Sequence, residues 1–330
     1  MIIDTHTHFM PRQISDACRA RSTSPYIETL PDGEERFHMP VGHIPFTDAY
    51  EDMTARIEFM KNLDVQRQIL SFPGLFGLDS LPAAECAPLL KIFNDEVAGL
   101  CQAHPNSFSG LAALPWEDMD LAIAEYRRAR TELGLIGAIL PNNGFASLAH
   151  AERYKPFLAA AEELGGHLFI HPGPRPDERL AEIDKSDAPQ QDTPIARRAL
   201  AVQHLVANCM VTLLFTDYLD PYSNFTLHVA NLGGTLPMVI ERMDHVVATR
   251  DPSMEMFTER ARKVHVDCSS LGPRAIRIAA DIFGTDKIVF GTDCPIFSTE
   301  WSIHAVKNSG LSAADQEKIF HGNISSLLNF

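Results

Sequence analysis

The sequence predicts an α/β fold, a TIM-type (β/α)8 barrel with a lid-like insertion after its first strand. Eight short apolar runs, each followed by polar, proline or glycine turn signals, alternate with longer segments of helical periodicity along the 330 residues. Such alternation is typical of a parallel sheet covered by helices. A doubly wound sheet would also alternate, but the first strand is not followed by the glycine-rich GxGxxG turn of that fold.

The elements follow in order along the chain. The predicted strands are Ile2–Ile3, Gln68–Phe72, Phe108–Leu114, Gly137–Leu140, His167–Ile170, Phe225–Val229, Val264–Asp267 and Lys287–Phe290. The predicted crossover helices are Asp52–Leu63, Ala84–His104, Met119–Leu133, Arg153–Leu164, Thr193–Leu205, Gly234–Val247 and Pro273–Ile282. Eight strands match the number that closes this barrel.

Two segments interrupt the alternation. Residues 11–46 are rich in proline and glycine and too long for an ordinary βα connection. Residues 172–194 have a similar composition and directly follow His171, at the end of a predicted strand. We expect both segments to act as lid or substrate loops. Without internal repeats or a linker-like stretch, residues 1–330 are predicted to form a single domain.

Composition limits the possible partners. Hydrophobic residues make up 45% of the chain and charged residues 22%, as in ordinary globular proteins, and the net charge of -15 argues against nucleic acid as a partner. The six cysteines show no CxxC spacing, which predicts reduced thiols in the cytoplasm. No leader pattern and no apolar stretch of about 20 residues is present, so no membrane association is expected.

The chemistry is predicted at the carboxyl ends of the strands. His6 and His8 lie two residues apart and would point to the same face of the first strand. His171 closes the fifth predicted strand and Asp293 follows the eighth, which the barrel places beside the first. Three imidazoles and one carboxylate suit a divalent ion such as Zn²⁺, with a position left for a water or substrate oxygen. Taken singly, each residue could instead be structural, Asp293 as a turn cap, for example.

Several motifs together resemble a known family. They are Asp4-x-His6-x-His8, Ile170-His171-Pro172, Asn231-Leu232-Gly233-Gly234, Gly291-Thr292-Asp293-Cys294-Pro295 and Gly322-Asn323-Ile324. In order and spacing they resemble the amidohydrolase superfamily, in particular the branch that contains 2-amino-3-carboxymuconate-6-semialdehyde decarboxylase. The resemblance implies that His6, His8, His171 and Asp293 bind one divalent metal, most commonly zinc, with manganese as the alternative. No lysine stands where binuclear relatives place a bridging carbamate, so the resemblance favours a mononuclear site.

The chain departs from this family at two positions that bear on catalysis. Decarboxylases of the family usually have histidine where this chain has Asn231, and an amide can hydrogen-bond an oxygen but cannot accept a proton as imidazole does. His228 lies three residues earlier. Strand alternation predicts that it faces away from Asn231, outside the barrel or at its base, unless a bulge turns it inward as a catalytic group.

Two further positions concern the substrate. Arg242 matches a family arginine that binds the substrate carboxylate across a dimer interface, although an exposed arginine paired on its own helix is the plainer interpretation. A second family arginine has no clear counterpart, and His43 is the nearest candidate for substrate binding there. Together with His38 it could line the lid or simply be solvated.

These observations leave three hypotheses open. The first is a metal-dependent nonoxidative decarboxylase, a carboxy-lyase acting on a small aromatic or unsaturated carboxylic acid, with Asn231 orienting a water for protonation. The second is a hydrolase or hydratase of the same superfamily acting on a lactone, an amide or a C=C bond, with Asp293 moving the proton. The third is an inactive barrel that serves as a binding protein. The resemblance also implies a homodimer.

Overall fold

The structure is a computed structural model that describes residues 1–40, 42–176, 178 and 194–330. Its strands are β1 (Ile2–His8), β2 (Tyr26–Thr29), β3 (Glu35–His38), β4 (His43–Phe46), β5 (Val65–Ser71), β6 (Phe108–Ala112), β7 (Gly137–Pro141), β8 (Gly166–His171), β9 (Phe225–Val229), β10 (His265–Asp267) and β11 (Ile288–Val289). Its helices are α1 (Arg12–Arg19), α2 (Met53–Asn62), α3 (Ala83–Ala103), α4 (Met119–Thr131), α5 (Leu148–Ala151), α6 (Lys155–Leu164), α7 (Pro194–Leu214), α8 (Leu236–Arg250), α9 (Phe257–Arg260), α10 (Pro273–Phe283), α11 (Thr299–Lys307), α12 (Ala313–Glu317) and α13 (Asn323–Leu328).

Eight strands form a parallel barrel in the order β1-β5-β6-β7-β8-β9-β10-β11. Main-chain hydrogen bonds close it between β1 and the chain that follows β11. The Thr5 N–H donates to the Phe290 carbonyl at 2.9 Å, and the His8 N–H donates to the Cys294 carbonyl at 2.7 Å. The predicted TIM-type barrel is therefore confirmed and the doubly wound alternative is excluded, because such a sheet stays open.

All eight predicted strands are present, and the largest error concerns β1. The sequence predicts only Ile2–Ile3, whereas β1 continues to His8 and every residue in it is buried. The apolar run ends early because the second half of this strand consists of polar residues, which are buried at the mouth of the barrel. Hydrophobicity alone cannot extend a strand through such residues.

The helices cover the outside of the barrel as predicted, with boundaries shifted by a few residues. Asp52 caps α2 by accepting from the Ala55 N–H, and Asp118 caps α4 by accepting from the Leu121 N–H. The main difference is α7, which continues to Leu214 instead of ending at Leu205. Among the helices of the described residues, none is both long and apolar enough to cross a bilayer.

The insertion after β1 has regular structure of its own. Residues 11–46 contain α1 and an antiparallel sheet in the order β2-β3-β4. Phe37 of β3 stacks on Phe76 with ring centroids 4.0 Å apart, which packs this sheet onto the connection that follows β5. The turn-rich composition located the insertion but did not predict its sheet. Most of the second predicted loop, residues 177 and 179–193, lies outside the described residues.

A pair of glycines tests the packing of the barrel. Gly137 pairs with His167 of β8, and a Cβ added to it would lie 1.7 Å from the His167 carbonyl oxygen. We expect Gly137→Ala to lower the free energy of unfolding by about 3 kcal/mol in denaturant titrations, because backbone must move. Gly99, exposed in α3 with nothing within 4 Å of such a Cβ, is the matched control. Gly99→Ala is expected to stabilise by up to about 1 kcal/mol; equal effects at both positions would contradict the register.

Candidate metal centre

Four side chains predicted as metal ligands converge at the mouth of the barrel. They are His6, His8, His171 and Asp293, all buried, with one ligand atom from each lying within 4.8 Å of the others. The His8 Nε2 lies 3.1 Å from the His171 Nε2 and 3.0 Å from the Asp293 Oδ1. The His6 Nε2 lies 3.6 Å from the same oxygen. Ligand atoms that share one ion at about 2.1 Å are separated by about 3–3.5 Å, so these spacings fit a single metal.

Each imidazole is held through its Nδ1, which leaves Nε2 for the cluster. The Nδ1–H of His6 donates to the Asp267 Oδ2 at 3.0 Å, and that of His171 donates to the Pro172 carbonyl at 2.8 Å. The His8 Nδ1 lies 3.2 Å from the Ser71 Oγ, whose own hydrogen goes to the Thr7 carbonyl. Acceptors on the outer ring nitrogen fix the tautomer and orientation of metal-binding histidines.

The protonation states also suit a metal. Burial lowers the pKa of His8 and lowers that of His171 well below its usual value, so both rings are neutral at pH 7. Burial also lowers the pKa of His6, but the carboxylates of Asp267 and Asp293 outweigh it and hold this pKa above its usual value. The neighbourhood of the His6 Nε2 therefore favours a cation, whether a proton or a metal ion.

Two buried atoms of the cluster test whether a metal fits. Within the described part of the chain, the His6 Nε2 and the Asp293 Oδ1 form no well-directed hydrogen bond, although the Asp293 Oδ1 lies 3.0 Å from the His8 Nε2. Buried polar atoms are nearly always paired, and a missing ion is one of the few explanations of an exception. The donor set of three nitrogens and one oxygen is one that Zn²⁺ and related divalent ions accept. The residues present therefore fit the ion that the sequence predicts.

The turn after β11 is positioned by β1. The Asp293 N–H donates to the His6 carbonyl at 2.7 Å. The carboxylate of Asp4 accepts from the Thr292 N–H at 3.1 Å and from the Thr292 hydroxyl at 2.6 Å. A Cβ at Gly291 would lie 2.8 Å from the His6 Cβ, so only glycine allows this approach. Burial raises the pKa of Asp4 to about 7.

Asp267, at the end of β10, is the functional residue that the sequence analysis missed. Its Oδ2 accepts from His6 and, at 2.9 Å, from the His228 Nε2, while its Oδ1 accepts from the N–H groups of Asn231 and Ser269 at 3.2 and 2.8 Å. Burial would raise its pKa, but the charge of His6 and the hydrogen bonds of both histidines hold it well below the usual range. A carboxylate ending a predicted strand was the available signal, the same one that identified Asp293.

His228 lies in the interior of the barrel. Its ring stacks on that of Phe169, with centroids 4.3 Å apart, and Phe169 in turn contacts His6. Besides the bond to Asp267, its Nδ1 faces the His167 Nε2 at 3.4 Å. Of the orientations that the sequence left open, the ring adopts the inward one and does not lie outside the barrel. Strand alternation misled because β9 ends at Val229, so alternation does not extend as far as Asn231.

Asn231 stands beyond the end of β9 with a left-handed backbone, φ 57°. Its side-chain Oδ1 accepts from the Ser269 hydroxyl at 2.7 Å. This bond uses the carbonyl side of the amide, so the Nδ2–H₂ side is the one available for a ligand.

Arg242 and His43 lie away from the cluster in this chain. Arg242 is exposed on α8, and His43 is exposed on β4, opposite His38 in register. Across the described residues, neither forms a hydrogen bond or ion pair with the four clustered side chains. The single chain therefore brings together the predicted metal ligands but not the two predicted substrate-binding residues.

Fold and cluster define a class, a (β/α)8 barrel with a buried group of three histidines and one aspartate that could hold a divalent metal at the carboxyl ends of its strands. Comparison with known proteins gives the family. The amidohydrolase family model matches residues 3–330, so the chain belongs to this family.

The curated relatives of similar sequence, and several solved structures of similar fold, are decarboxylases by name. The chain is 28% identical over 245 residues to gamma-resorcylate decarboxylase of Rhodococcus jostii (strain RHA1), covering 64% of this chain and 69% of that protein. It is 25% identical over 295 residues to 2-amino-3-carboxymuconate-6-semialdehyde decarboxylase of Dictyostelium discoideum, covering 87% and 79%. A crystal structure of dihydroxybenzoic acid decarboxylase from Polaromonas sp. JS666, with bound manganese and the inhibitor 2-nitroresorcinol, superposes with a TM-score of 0.74. At 21% identity over 99% of this chain and 96% of that one, it supports the fold.

The cluster generates a prediction about metal content. We expect purified protein to contain about one equivalent of divalent metal by elemental analysis, and His171→Ala and Asp293→Ala to lose it, because each removes a ligand. The matched control is His304→Ala, which removes an exposed imidazole on α11. If both ligand variants keep the full metal content, the ion is bound elsewhere in the protein.

A second prediction concerns Asp267. Asp267→Asn keeps an oxygen for the N–H groups of Asn231 and Ser269 but turns an amide N–H₂ toward the two histidines. We expect the metal dissociation constant, measured by chelator competition, to rise about 10–100-fold. His228→Gln retains a donor toward Asp267 and is expected to change it much less. If Asp267→Asn leaves metal affinity unchanged, this carboxylate does not orient His6.

Proposed function

We propose that the protein is a metal-dependent nonoxidative decarboxylase, a carboxy-lyase acting on a small aromatic or unsaturated carboxylic acid. The observation that carries the proposal is the cluster of His6, His8, His171 and Asp293, with two unpaired ligand atoms, in a chain whose named relatives are decarboxylases. Similar relatives include gamma-resorcylate and aminocarboxymuconate-semialdehyde decarboxylases, which motivates the substrate class.

The role of a metal in this proposal is electrostatic. His6, His8, His171 and Asp293 would hold one divalent ion, which when bound supplies positive charge that stabilises the negative charge left as CO₂ departs. We propose zinc, because three neutral imidazoles and one carboxylate suit it. Manganese is the alternative, favoured by its presence in the Polaromonas structure.

In this proposal, the residues around the cluster orient its ligands and hydrogen-bond the substrate or a water. Asp267 fixes the His6 ring and, through the Asn231 N–H, the turn that carries the Asn231 side chain. Since its Oδ1 is occupied by Ser269, Asn231 would donate through Nδ2 to a substrate oxygen or to the water that supplies the proton. Asn231 cannot itself accept a proton. His228, whose two ring nitrogens face Asp267 and His167, supports Asp267 in this scheme as a positioning residue.

A hydrolase or hydratase is the second candidate, and Asn231 is the observation that favours it. An amide replaces the histidine that the family's decarboxylases usually have at this position. Because an amide cannot accept a proton, another group must transfer protons to and from the substrate. Asp293, the carboxylate of the cluster, would move the proton in this case. The substrate would then be a lactone, an amide or a C=C bond.

Arg242 is proposed to act in a homodimer. On α8 it shares an exposed surface with Met238 and Val239, which are 71% and 43% exposed, and neighbouring α7 exposes Ile195 to 82%. Large exposed apolar side chains favour a protein interface. A guanidinium on that surface could bind the substrate carboxylate in a partner's site. We also propose the cytoplasm as the location, since cysteines that are mostly buried as free thiols suit a reducing compartment.

The reaction class is tested by product analysis. Metal-loaded protein is incubated with hydroxybenzoates, unsaturated dicarboxylic acids, lactones and amides, and CO₂ and ring-opened or hydrated products are measured. We expect CO₂ from an aromatic or unsaturated acid and none after chelation or in Asp293→Ala. Hydrolysis or hydration without CO₂ would select the second candidate, and no turnover with tight binding would select an inactive barrel.

The role of Arg242 is tested by mixing inactive variants. If Arg242 serves the partner's site, Arg242→Gln and Asp293→Ala are each inactive alone. Mixed dimers then contain one intact site, so activity returns up to about one quarter of the wild-type level at equal mixing. Arg250→Gln, an exposed arginine on the same helix, is the control. Failure of the mixture to regain activity, although mixed dimers form, would place Arg242 in its own site or in none.

A further inference from the structure

A line of polar side chains runs through the interior of the barrel toward the candidate metal centre. Alternate residues of a strand face the same side, so His167 of β8 points inward like His171, which belongs to the cluster. On β9, Thr226 lies on the same face as the inward His228 and pairs in register with His167. The two histidines are only 1% and 0% exposed. Apolar side chains usually fill such positions, and buried imidazoles need partners.

These side chains form a chain of contacts that ends at Asp267. The Thr226 Oγ1 lies 2.7 Å from the His167 Nδ1, and the His167 Nε2 lies 3.4 Å from the His228 Nδ1. The His228 Nε2 lies 2.9 Å from the Asp267 Oδ2, the same oxygen that accepts from the His6 Nδ1–H. Three side chains therefore connect Thr226 to the predicted metal ligand His6.

The chemistry of the groups gives this chain one direction. A carboxylate only accepts, so the His228 Nε2 carries a hydrogen and donates it to Asp267. Burial lowers the pKa of His228 and lowers that of His167 well below its usual value, so each ring is neutral and has one donating nitrogen. The His228 Nδ1 is then an acceptor, and the His167 Nε2 must donate to it. The His167 Nδ1 is left to accept from the Thr226 hydroxyl.

We propose that Thr226 and His167 are positioning residues of the candidate metal centre. The Thr226 hydroxyl selects the tautomer of His167 that donates through Nε2. That donor fixes the His228 ring, whose own hydrogen is then directed at Asp267. The proposal rests on the metal centre of the proposed function but on neither of the reactions considered for it. It extends the support of His6 beyond Asp267 to the second residue of β9.

Loss of the Thr226 hydroxyl acts on His6 indirectly. Without this donor, the tautomer of His167 with its hydrogen on Nδ1 becomes accessible. In that tautomer two acceptors, the His167 Nε2 and the His228 Nδ1, face each other 3.4 Å apart. Repulsion between them displaces the His228 ring, so Asp267 loses a well-directed donor and holds His6 less firmly.

The first test is histidine NMR of the zinc-loaded, full-length protein, in which long-range proton–nitrogen correlations distinguish donating from accepting ring nitrogens. In the wild type we expect both His167 and His228 to carry their hydrogen on Nε2. Thr226→Val keeps the shape of the side chain but removes the hydroxyl, and is expected to populate the other tautomer of His167. A wild-type His167 with its hydrogen on Nδ1, or tautomers that Thr226→Val leaves unchanged, overturns the proposal.

The second test measures Zn²⁺ affinity by chelator competition. Thr226→Val is expected to raise the dissociation constant about threefold, as for the loss of one hydrogen bond, and His167→Leu about tenfold. Thr226→Ser keeps the hydroxyl and is expected to match the wild type. Valine preserves the packing of the threonine and serine preserves its hydrogen bond. If serine weakens binding as much as valine does, Thr226 acts through packing and the assignment is refuted.

Thr212→Val is the matched control. Thr212 is a buried threonine on α7, 4% exposed, and the contacts of the chain do not include it. We expect this variant to keep the wild-type tautomers and Zn²⁺ affinity. Circular dichroism of each variant checks that it is folded. If His167→Leu does not fold, the valine and serine variants of Thr226 still decide the question, since both are close to threonine in size.

Turnover separates this inference from the proposed function. If the wild type releases CO₂ from a carboxylic acid but Thr226→Val alters neither tautomer nor Zn²⁺ affinity, the decarboxylase stands and the positioning role is wrong. If tautomer and affinity respond as expected but no acid is decarboxylated, the positioning role stands and the reaction class is wrong. With both correct, Thr226→Val lowers activity at limiting Zn²⁺ and changes it little at saturating Zn²⁺.

Discussion

The closure of the barrel between β1 and the turn after β11 is the constraint on which the site depends. Main-chain bonds join His6 to Asp293 and His8 to Cys294, and the Asp4 carboxylate holds Thr292 against the first strand. Residues from opposite ends of the chain are thereby fixed at hydrogen-bond distances. Strand register therefore brings the ligand residues together, and hydrogen bonds at Nδ1 orient the rings of His6 and His171.

Burial of so many ionisable groups imposes a second requirement. Carboxylates and imidazoles removed from water destabilise the fold unless hydrogen bonds or opposite charges compensate. Asp267 meets this requirement with four donors on its two oxygens. The cluster itself does not, since the His6 Nε2 and the Asp293 Oδ1 form no hydrogen bond within the described residues. A bound cation would satisfy both atoms, so fold stability and metal binding should be coupled.

The strands of the barrel and the segments around the barrel mouth contribute different kinds of residues. The strands carry His6, His8, His171 and Asp267, and the turn after β11 carries Asp293. The connection after β3, the turns after β7 and β8, and α7 line a cavity whose lining does not include the four clustered residues. Family membership accounts for the fold and the candidate ligands, whereas the segments around the mouth are where proteins that share one fold differ in function.

The eight strands, the insertion after β1 and the four candidate ligands could be predicted from the sequence, because strand periodicity and donor chemistry are local properties. It did not extend β1 through its buried polar residues, predict the sheet within the insertion, or identify Asp267. The sequence also could not place His228, because the local sequence does not distinguish an imidazole inside the barrel from one outside it. These points depend on tertiary structure, because a shared acceptor such as Asp267 and a cluster of ligand atoms exist only when separate strands meet.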